Sequence, residues 1–329
     1  MNQRMIKQPL FVTKENGLPT KQHPWQFEKI IHQSWKDENI PAQTAPWVKK
    51  WLQVHPDWTY MFWTDKTSRA FLEQYFPSLV AAYDSWAVPV QQADMFRYVA
   101  LYAFGGVYAD LDMELLRPLH DVRKWGSCVL SREPDLQTYL MSDSLNTWAN
   151  NWTFTCNAFM ACRSHHPFLH YLISRVVQRS PYITRTARTL RETIGFTGPA
   201  MLSWTYAYYR RSIPQHLRLT RPGVDVICPE SDWFLPTSDI TRMDKVEKRC
   251  KGQLSCKEKG QLSCKEKEIC KKLAARKFSN VPLNFSYTTH HWFHSYHYNV
   301  SKTRVNINSL FKPIKWPINQ YKLFDISYG

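Results

Sequence analysis

Short apolar runs alternate with amphipathic stretches along the first half of this 329-residue chain. Lys29-Ile30-Ile31-His32-Gln33 reads as a first buried strand. Beyond Pro41 and Pro46, Trp47-Val48-Lys49-Lys50-Trp51-Leu52 carries helical spacing, with Trp47 and Trp51 on one face and lysines opposite. His55-Pro56-Asp57 breaks that pattern. Trp58 to Trp63 reads as a second strand, and Asp65 as the N-cap of a helix through Tyr75. Residues 90–104 give the clearest helix: Met95, Val99 and Tyr102 share a stripe flanked by Phe96 and Ala100. Gly105-Gly106 end it, one of them in a left-handed C′ position. Val107–Ala109 is the next strand. Further strands are expected over Cys128–Ser131 and Asn157–Cys162. Helices are expected from His166 to about Gln178 and from Met201 to Tyr209, with a turn at Thr197-Gly198-Pro199. Strand–helix–strand–helix order predicts an α/β fold with a mainly parallel central sheet flanked by helices.

The second half changes character. Residues 241–277 are low in complexity and basic, with 13 Lys/Arg against 5 Asp/Glu, half of the chain's formal charge of +16. Lys-Gly-Gln-Leu-Ser-Cys-Lys-Glu occupies 251–258 and recurs unchanged at 259–266. An eight-residue copy is too short for a solenoid repeat, so this segment reads as a solvated, mobile insertion grown by duplication. The expected organisation is a polar tail or linker at 1–27, a catalytic domain at 28–240, the insertion at 241–277 and the remainder of the catalytic domain at 278–329.

The charge does not point to nucleic acid, because no nucleic-acid-binding motif accompanies it. It leaves a solvated loop or, next, association with an anionic membrane surface. No run of 18 apolar residues spans a membrane. The start is too polar for a signal peptide, so the protein is soluble or an N-terminal anchor is missing from this chain. Cys128, Cys156, Cys162 and Cys228 are scattered. Cys250, Cys256, Cys264 and Cys270 cluster, at spacings unlike a zinc knuckle. Sequons at Asn151, Asn284 and Asn299 matter only in the secretory pathway.

Candidate chemistry sits behind the glycine pair. Asp110 and Asp112, one residue apart at a strand end, are expected to point the same way and to need a cation between them. Oxygen ligands suit Mg²⁺ or Mn²⁺, which also grips a diphosphate. Asp94 and Arg97, three apart on the preceding helix, share a face. They form either a surface ion pair or a set of contacts to sugar and phosphate oxygens.

The run Gln92-Ala93-Asp94-Met95-Phe96-Arg97-Tyr98, with Gly105-Gly106-Val107-Tyr108-Ala109-Asp110-Leu111-Asp112, closely resembles the DXD region of glycosyltransferase family 32. Ile30–Lys36, His55–Trp58 and Phe62–Asp65 fit the same family's first strands. Asn157–Ala161, Thr197–Pro199 and His290–Trp292 are later echoes. The family includes inositol-phosphoceramide mannosyltransferases, Golgi α-mannosyltransferases, and α1,4-galactosyl- and N-acetylglucosaminyltransferases. The resemblance implies a GT-A-like nucleotide-sugar-binding fold, a nucleotide-sugar donor, Mn²⁺ (or Mg²⁺) and a retaining transfer. It also implies a glycolipid or glycan acceptor and a Golgi or other lumenal location if an anchor is missing, otherwise a cytoplasmic one. GDP-mannose is the expected donor, with UDP-galactose and UDP-N-acetylglucosamine as alternatives.

Carried onto this chain, the resemblance makes Asp110 and Asp112 the catalytic pair. Asp112 ligates the metal, and Asp110 bridges to metal or donor. Asp94, Arg97 and Tyr108 hold the donor sugar or shape its pocket. His32, Gln33 and Trp35 lie where the first strand meets the nucleotide, with Trp35 either stacking on a base or packing in the core. His291 is either a third metal ligand or an ordinary loop histidine. No residue presents itself as a covalent nucleophile, so same-face attack is expected. An inactive binding module and a two-carboxylate hydrolase are the competing readings.

Overall fold

The computed structural model describes residues 11–13, 26–86, 88–134, 154–180, 195–212, 223–253, 264–293 and 302–311. Its strands are β1 (Phe11–Thr13), β2 (Ile30–Ser34), β3 (Asn39–Pro41), β4 (Thr59–Trp63), β5 (Gly106–Ala109), β6 (Met113–Leu115), β7 (Cys128–Arg132), β8 (Thr155–Cys162), β9 (Thr288–His290) and β10 (Arg304–Asn306). Its helices are α1 (Ala45–Val54), α2 (Asp65–Tyr75), α3 (Pro77–Ser85), α4 (Pro89–Phe104), α5 (Pro167–Arg179), α6 (Pro199–Ser212), α7 (Ile240–Gln253) and α8 (Cys264–Ala275).

Six strands form one sheet in the order β1-β4-β2-β5-β8-β7. The central strands β4, β2 and β5 run parallel, as the strand–helix alternation predicts. The pairings β1–β4, β5–β8 and β8–β7 are antiparallel. Four strands therefore share one direction, and β1 and β8 oppose it. Alternate strand residues divide the core in two. Ile30, Met61, Trp63, Tyr108 and Met160 face the helices α2 to α6, whereas Ile31, Tyr60, Phe62, Val107 and Phe159 face α1 and the loops on the other side. That alternation is the period-two signature of strands covered on both faces.

Gly105 closes α4, donating its N–H to Leu101, at φ +66°. A Cβ there would collide with the Glu28 carboxylate, and one at Gly106, at φ +96°, with the Ile30 carbonyl. Only glycine allows the chain to turn out of α4 and enter β5 this closely against β2.

Four expectations are corrected. The N-cap of α2 is Thr64 rather than Asp65: Thr64 Oγ1 accepts from the Thr67 N–H, and Thr67 Oγ1 accepts from the Thr64 N–H. Asp110 and Asp112 do not alternate along a strand. They lie in a turn closed by the Met113 N–H on the Asp110 carbonyl at 2.9 Å. The tail at 1–27 carries β1, which adds an antiparallel edge to β4. The insertion contains two helices, α7 and α8, cross-linked by a Cys250–Cys270 disulfide around their own apolar cluster of Met243, Val246, Ile269 and the disulfide itself. The helical spacing of Met243, Val246 and Cys250 was masked by the lysines around it. A second disulfide joins Cys128 to Cys162, directly opposite each other on β7 and β8. Asn151, Asn299, Cys256 and His294–His297 lie outside the described residues.

Candidate active site

Ligands of open α/β sheets bind beyond the carboxyl ends of the strands, and Asp110 leaves β5 at that edge. Its amide donates to the Ala158 carbonyl of β8 at 2.8 Å, and its carbonyl accepts from Gln33 Nε2 at 3.2 Å. Both flanking strands thereby hold its backbone. The turn that follows presents Asp112. β6 then pairs with β9, with Met113 opposite His290. This pairing delivers a third group: one ligand atom each from Asp110, Asp112 and His290 lies within 4.8 Å of the others.

His290 Nε2 approaches Asp112 Oδ2 at 3.2 Å, while its Nδ1 is buried without a partner. The segment after β9 wraps over the same carboxylate. The Phe293 N–H donates to Asp112 Oδ2 at 2.9 Å and the His291 N–H to the Asp112 carbonyl at 3.1 Å. Between them Trp292 adopts φ +54°, its Nε1 donating to the Thr237 carbonyl. A bulky residue at positive φ is strained and persists only where its surroundings hold it.

Beneath the carboxylates lies a buried ionic network. The Arg97 guanidinium, 5% exposed, donates to Asp110 Oδ1 and to the Asn157 carbonyl, both at 2.8 Å, and pairs with Asp94 Oδ1 at 3.1 Å. It also lies 4.5 Å from the centre of the Tyr108 ring. Asp94 accepts from Asn157 Nδ2 at 2.8 Å and from Thr197 Oγ1 at 2.9 Å. Tyr108 donates to Asp110 Oδ1 at 3.1 Å and pairs with Ser34 Oγ.

Burial pushes the Asp94 carboxyl up to about 6 even against the Arg97 charge. Burial also raises Asp110, aided by the Asp112 charge and opposed by Arg97. For Asp112 the burial penalty is outweighed by His290 and the Phe293 N–H, and its carboxyl is held low. His290 moves up, because the Asp112 carboxylate outweighs its own burial. The Asp112 and His290 shifts run in opposite senses, each group favouring the charged form of the other.

The sequence-derived set is partly rearranged. His290, not His291, joins the carboxylates. His291 points outward, with Nε2 3.2 Å from Glu114 Oε2 and its ring stacked on Trp47. Neighbours at a strand end face opposite ways, so the β6–β9 register selects one histidine of the pair. His32 is fully buried and does not meet a donor. Its Nδ1 accepts from Trp63 Nε1 and its Nε2 donates to the Gly105 carbonyl, fixing a neutral ring in the core. Gln33 is likewise buried, its Oε1 taking the Tyr60 hydroxyl while Nε2 positions Asp110. Trp35 is half-buried, packed against the core with its indole N–H unpartnered. Asp94, Arg97 and Tyr108 cluster as expected, but under the carboxylates rather than in front of them. Asn157, Thr197 and His290 lie in stretches where the sequence resemblance is weaker, and no local pattern assigns them a role.

A turn presenting two carboxylates stands at the carboxyl edge of an α/β sheet, backed by a buried arginine network, and its Asp-Leu-Asp run is a DXD motif. Residues 41–153 match the family model described as the glycosyltransferase sugar-binding region containing DXD motif. The resemblance read from the sequence therefore holds over that region. The chain is 30% identical over 193 residues to mannosyl phosphorylinositol ceramide synthase CSH1 of Saccharomyces cerevisiae, covering 57% of this chain and 44% of that protein. It is 29% identical over 188 residues to inositol phosphoceramide mannosyltransferase 3 of Schizosaccharomyces pombe, covering 56% and 46%. It thus spans about half the length of the curated relatives it matches. Among solved structures, the PaToxG glycosyltransferase aligns at a TM-score of 0.41 with 14% identity, over 60% of this chain and 75% of that one.

Proposed function

We propose that the protein is a metal-dependent retaining hexosyltransferase of GT-A-like fold that moves mannose from GDP-mannose to an inositol-phosphoceramide-type glycolipid or a glycan. One observation carries this reading: Arg97 ties Asp94 to Asp110 directly beneath the Asp110–Asp112–His290 cluster. The mannosyl donor and the lipid acceptor come from the names of the relatives.

The donor set fits a divalent ion. Two carboxylates and an imidazole with a free nitrogen favour Mn²⁺ over the all-oxygen preference of Mg²⁺. Asp110, Asp112 and His290 would hold it, and when bound it neutralises the charge growing on a departing nucleoside diphosphate. The chain's own residues supply the rest. Arg97 and Tyr108 both bond Oδ1 of Asp110 and so fix that carboxylate. Asn157, Thr197 and Asp94 keep the guanidinium from moving, so no reorganisation is needed as charge develops. Asp94 is 4% exposed with both oxygens taken, so it is not poised to attack a sugar carbon. That favours same-face attack without a covalent intermediate.

Two disulfides favour an oxidising, lumenal compartment such as the Golgi. Among the described residues no helix is long and apolar enough to cross a membrane. Exposed Lys248, Lys267, Lys271 and Lys277 on and beside the stapled helices favour contact with an anionic membrane surface. The deciding experiment is Mn²⁺-dependent hydrolysis of GDP-mannose, UDP-galactose and UDP-N-acetylglucosamine by the wild type and Asp112→Asn. Turnover of GDP-mannose alone, lost in the variant, is the expected result. Turnover of a UDP-sugar would replace the donor, and binding without turnover would favour an inactive module.

A further inference from the structure

The chain enters β9 through a tight surface turn at residues 283–286. The Ser286 N–H donates to the Leu283 carbonyl at 3.0 Å, closing a β-turn with Asn284 and Phe285 at its two central positions. The residues around Asn284 are pinned. Ser286 Oγ donates to the Asp232 carbonyl at 2.6 Å and accepts from the Leu283 N–H at 3.1 Å. Arg117 Nη1 donates to the Phe285 carbonyl at 2.8 Å, and the Phe285 ring centre lies 4.8 Å from that of Trp233. Ser286 is buried, whereas Asn284 is exposed. Among the described residues the Asn284 carboxamide has no hydrogen-bond partner.

We propose that Asn284 is an N-glycosylation site, modified in the lumen by transfer of an oligosaccharide from a lipid diphosphate; this rests on the lumenal reading above. Asn284-Phe285-Ser286 is the acceptor triplet of that reaction, with a middle residue other than proline. Such triplets also arise by chance, and the fold decides which of them has room for a glycan. An asparagine whose carboxamide holds the fold together cannot take a sugar without losing its bonds. Asn157 is spent on Asp94 in this way, and Asn280 on the Ser238 backbone. Asn284 has no such bond to lose. From the tip of a turn a glycan enters water without displacing a packed side chain. Cys128–Cys162 and Cys250–Cys270 are bonds of the same oxidising compartment in which the transfer takes place. The step forms a bond from the Asn284 carboxamide nitrogen to C1 of the oligosaccharide and breaks the bond from C1 to the lipid diphosphate. The diphosphate leaves with that electron pair, the amide gives up one proton to balance its charge, and nothing is oxidised or reduced.

The test expresses the full chain in yeast behind a cleavable secretory leader, beside Asn284→Gln and Asn284→Asp. Whole-cell extracts are read, so that export does not select the product. Leader-cleaved wild type is expected to carry a glycan that peptide N-glycosidase removes, leaving Asp at position 284 on fragment-ion sequencing. Both variants are expected to migrate faster than wild type by one glycan before that treatment, and to lose exactly this step. Donor hydrolysis and Mn²⁺ affinity are expected to be unchanged in Asn284→Gln. An unmodified Asn284 in leader-cleaved wild type overturns the proposal, because those chains have entered the lumen. Variants that migrate with wild type overturn it equally. The lumenal reading fails by a different result: free thiols at Cys128 and Cys162 in protein taken from its own cells.

Discussion

Arg97→Met tests the network under the carboxylates most directly, because methionine keeps much of the volume and removes the charge. With the guanidinium present, the Asp94 carboxyl sits near 6. Without it, Asp94 is left among neutral donors in a site 4% exposed, and its carboxyl rises further. Between those two values the variant's native state holds a proton that the unfolded chain and the wild type do not. Its stability must therefore fall as pH rises, by about 1.4 kcal/mol per unit above 6 relative to wild type, and by nothing below. At pH 7.5 that amounts to about 2 kcal/mol. Added to it is a pH-independent loss of roughly 1–3 kcal/mol for the charge-assisted bond to the Asn157 carbonyl. The total, about 3–5 kcal/mol, matches the usual cost of removing one partner from a buried pair. Urea unfolding followed by tryptophan fluorescence at pH 5 and pH 7.5 measures both parts. In an Asp94→Asn background the pH-dependent part should shrink to what Asp110, the other carboxyl bonded to Arg97, contributes. A cost that is equal at the two pH values, or below about 1 kcal/mol at pH 7.5, would refute the account of Arg97 as the counter-charge of Asp94.

Three further outcomes are expected. His290→Ala should weaken Mn²⁺ binding by at least the ~10–100-fold that lost metal-site partners cost, whereas His291→Ala should leave it within a few-fold; titration with Mn²⁺ by electron paramagnetic resonance separates the two. His32, His55 and His166 are held neutral by burial at about 4, 4 and 3, so the unfolded chain gains protons first as pH falls below 6.5. Each should remove up to about 1.4 kcal/mol of stability per pH unit between 6.5 and its folded value, while the raised Glu28 and Asp94 carboxyls act in the opposite sense, so the check is the difference between wild type and His166→Gln, which should shrink as pH falls from 6.5 to 5; a difference that does not change with pH would contradict this. Changing Lys248, Lys267, Lys271 and Lys277 together to Glu should abolish co-sedimentation with phosphatidylinositol vesicles at low salt while leaving donor hydrolysis intact; binding that survives would remove the hairpin as the membrane contact.

The sheet and the arginine–carboxylate core were legible because their signals are local. Ile30–Gln33, Trp58–Trp63 and the stripe of residues 90–104 each carry their own periodicity, and Gly105-Gly106 marks a turn only glycine can make. What was not legible depends on pairing between distant segments. His290 and His291 are adjacent and chemically identical in sequence, and only the Met113–His290 register decides which one meets Asp112. His32 fits a nucleotide-facing position by its place on the first strand, yet Trp63 and Gly105 consume both its ring nitrogens. Asp94 and Arg97 were readable as partners at i and i+3. Their burial was not, because it is completed by Asn157 and Thr197, which arrive from 63 and 103 residues away.

Residues 241–277, which carry the tandem octapeptide, lie where growth of the chain would leave these long-range pairings in place. α7 and α8 interrupt the stretch between the body of the fold and β9, the strand that carries His290. Their apolar residues pack on each other around Cys250–Cys270, as a cluster separate from both main cores. The base of the insertion is clamped from outside it: Asn280 accepts from the Ser238 N–H at 2.8 Å and donates to the Ser238 carbonyl at 2.7 Å. Thr237 and Thr289 then join their hydroxyls at 2.9 Å, one residue before His290. Closure entropy rises only slowly with loop length, so copies added above such a clamp cost the fold little and leave the β6–β9 register untouched. Replacing residues 241–277 with a short glycine–serine linker should therefore preserve Mn²⁺ affinity and donor hydrolysis within a few-fold. Asn280→Ala in the full-length chain should loosen the clamp and weaken both. If the deletion, rather than the clamp substitution, is what destroys the metal site, the hairpin is part of the catalytic fold and not an addition to it.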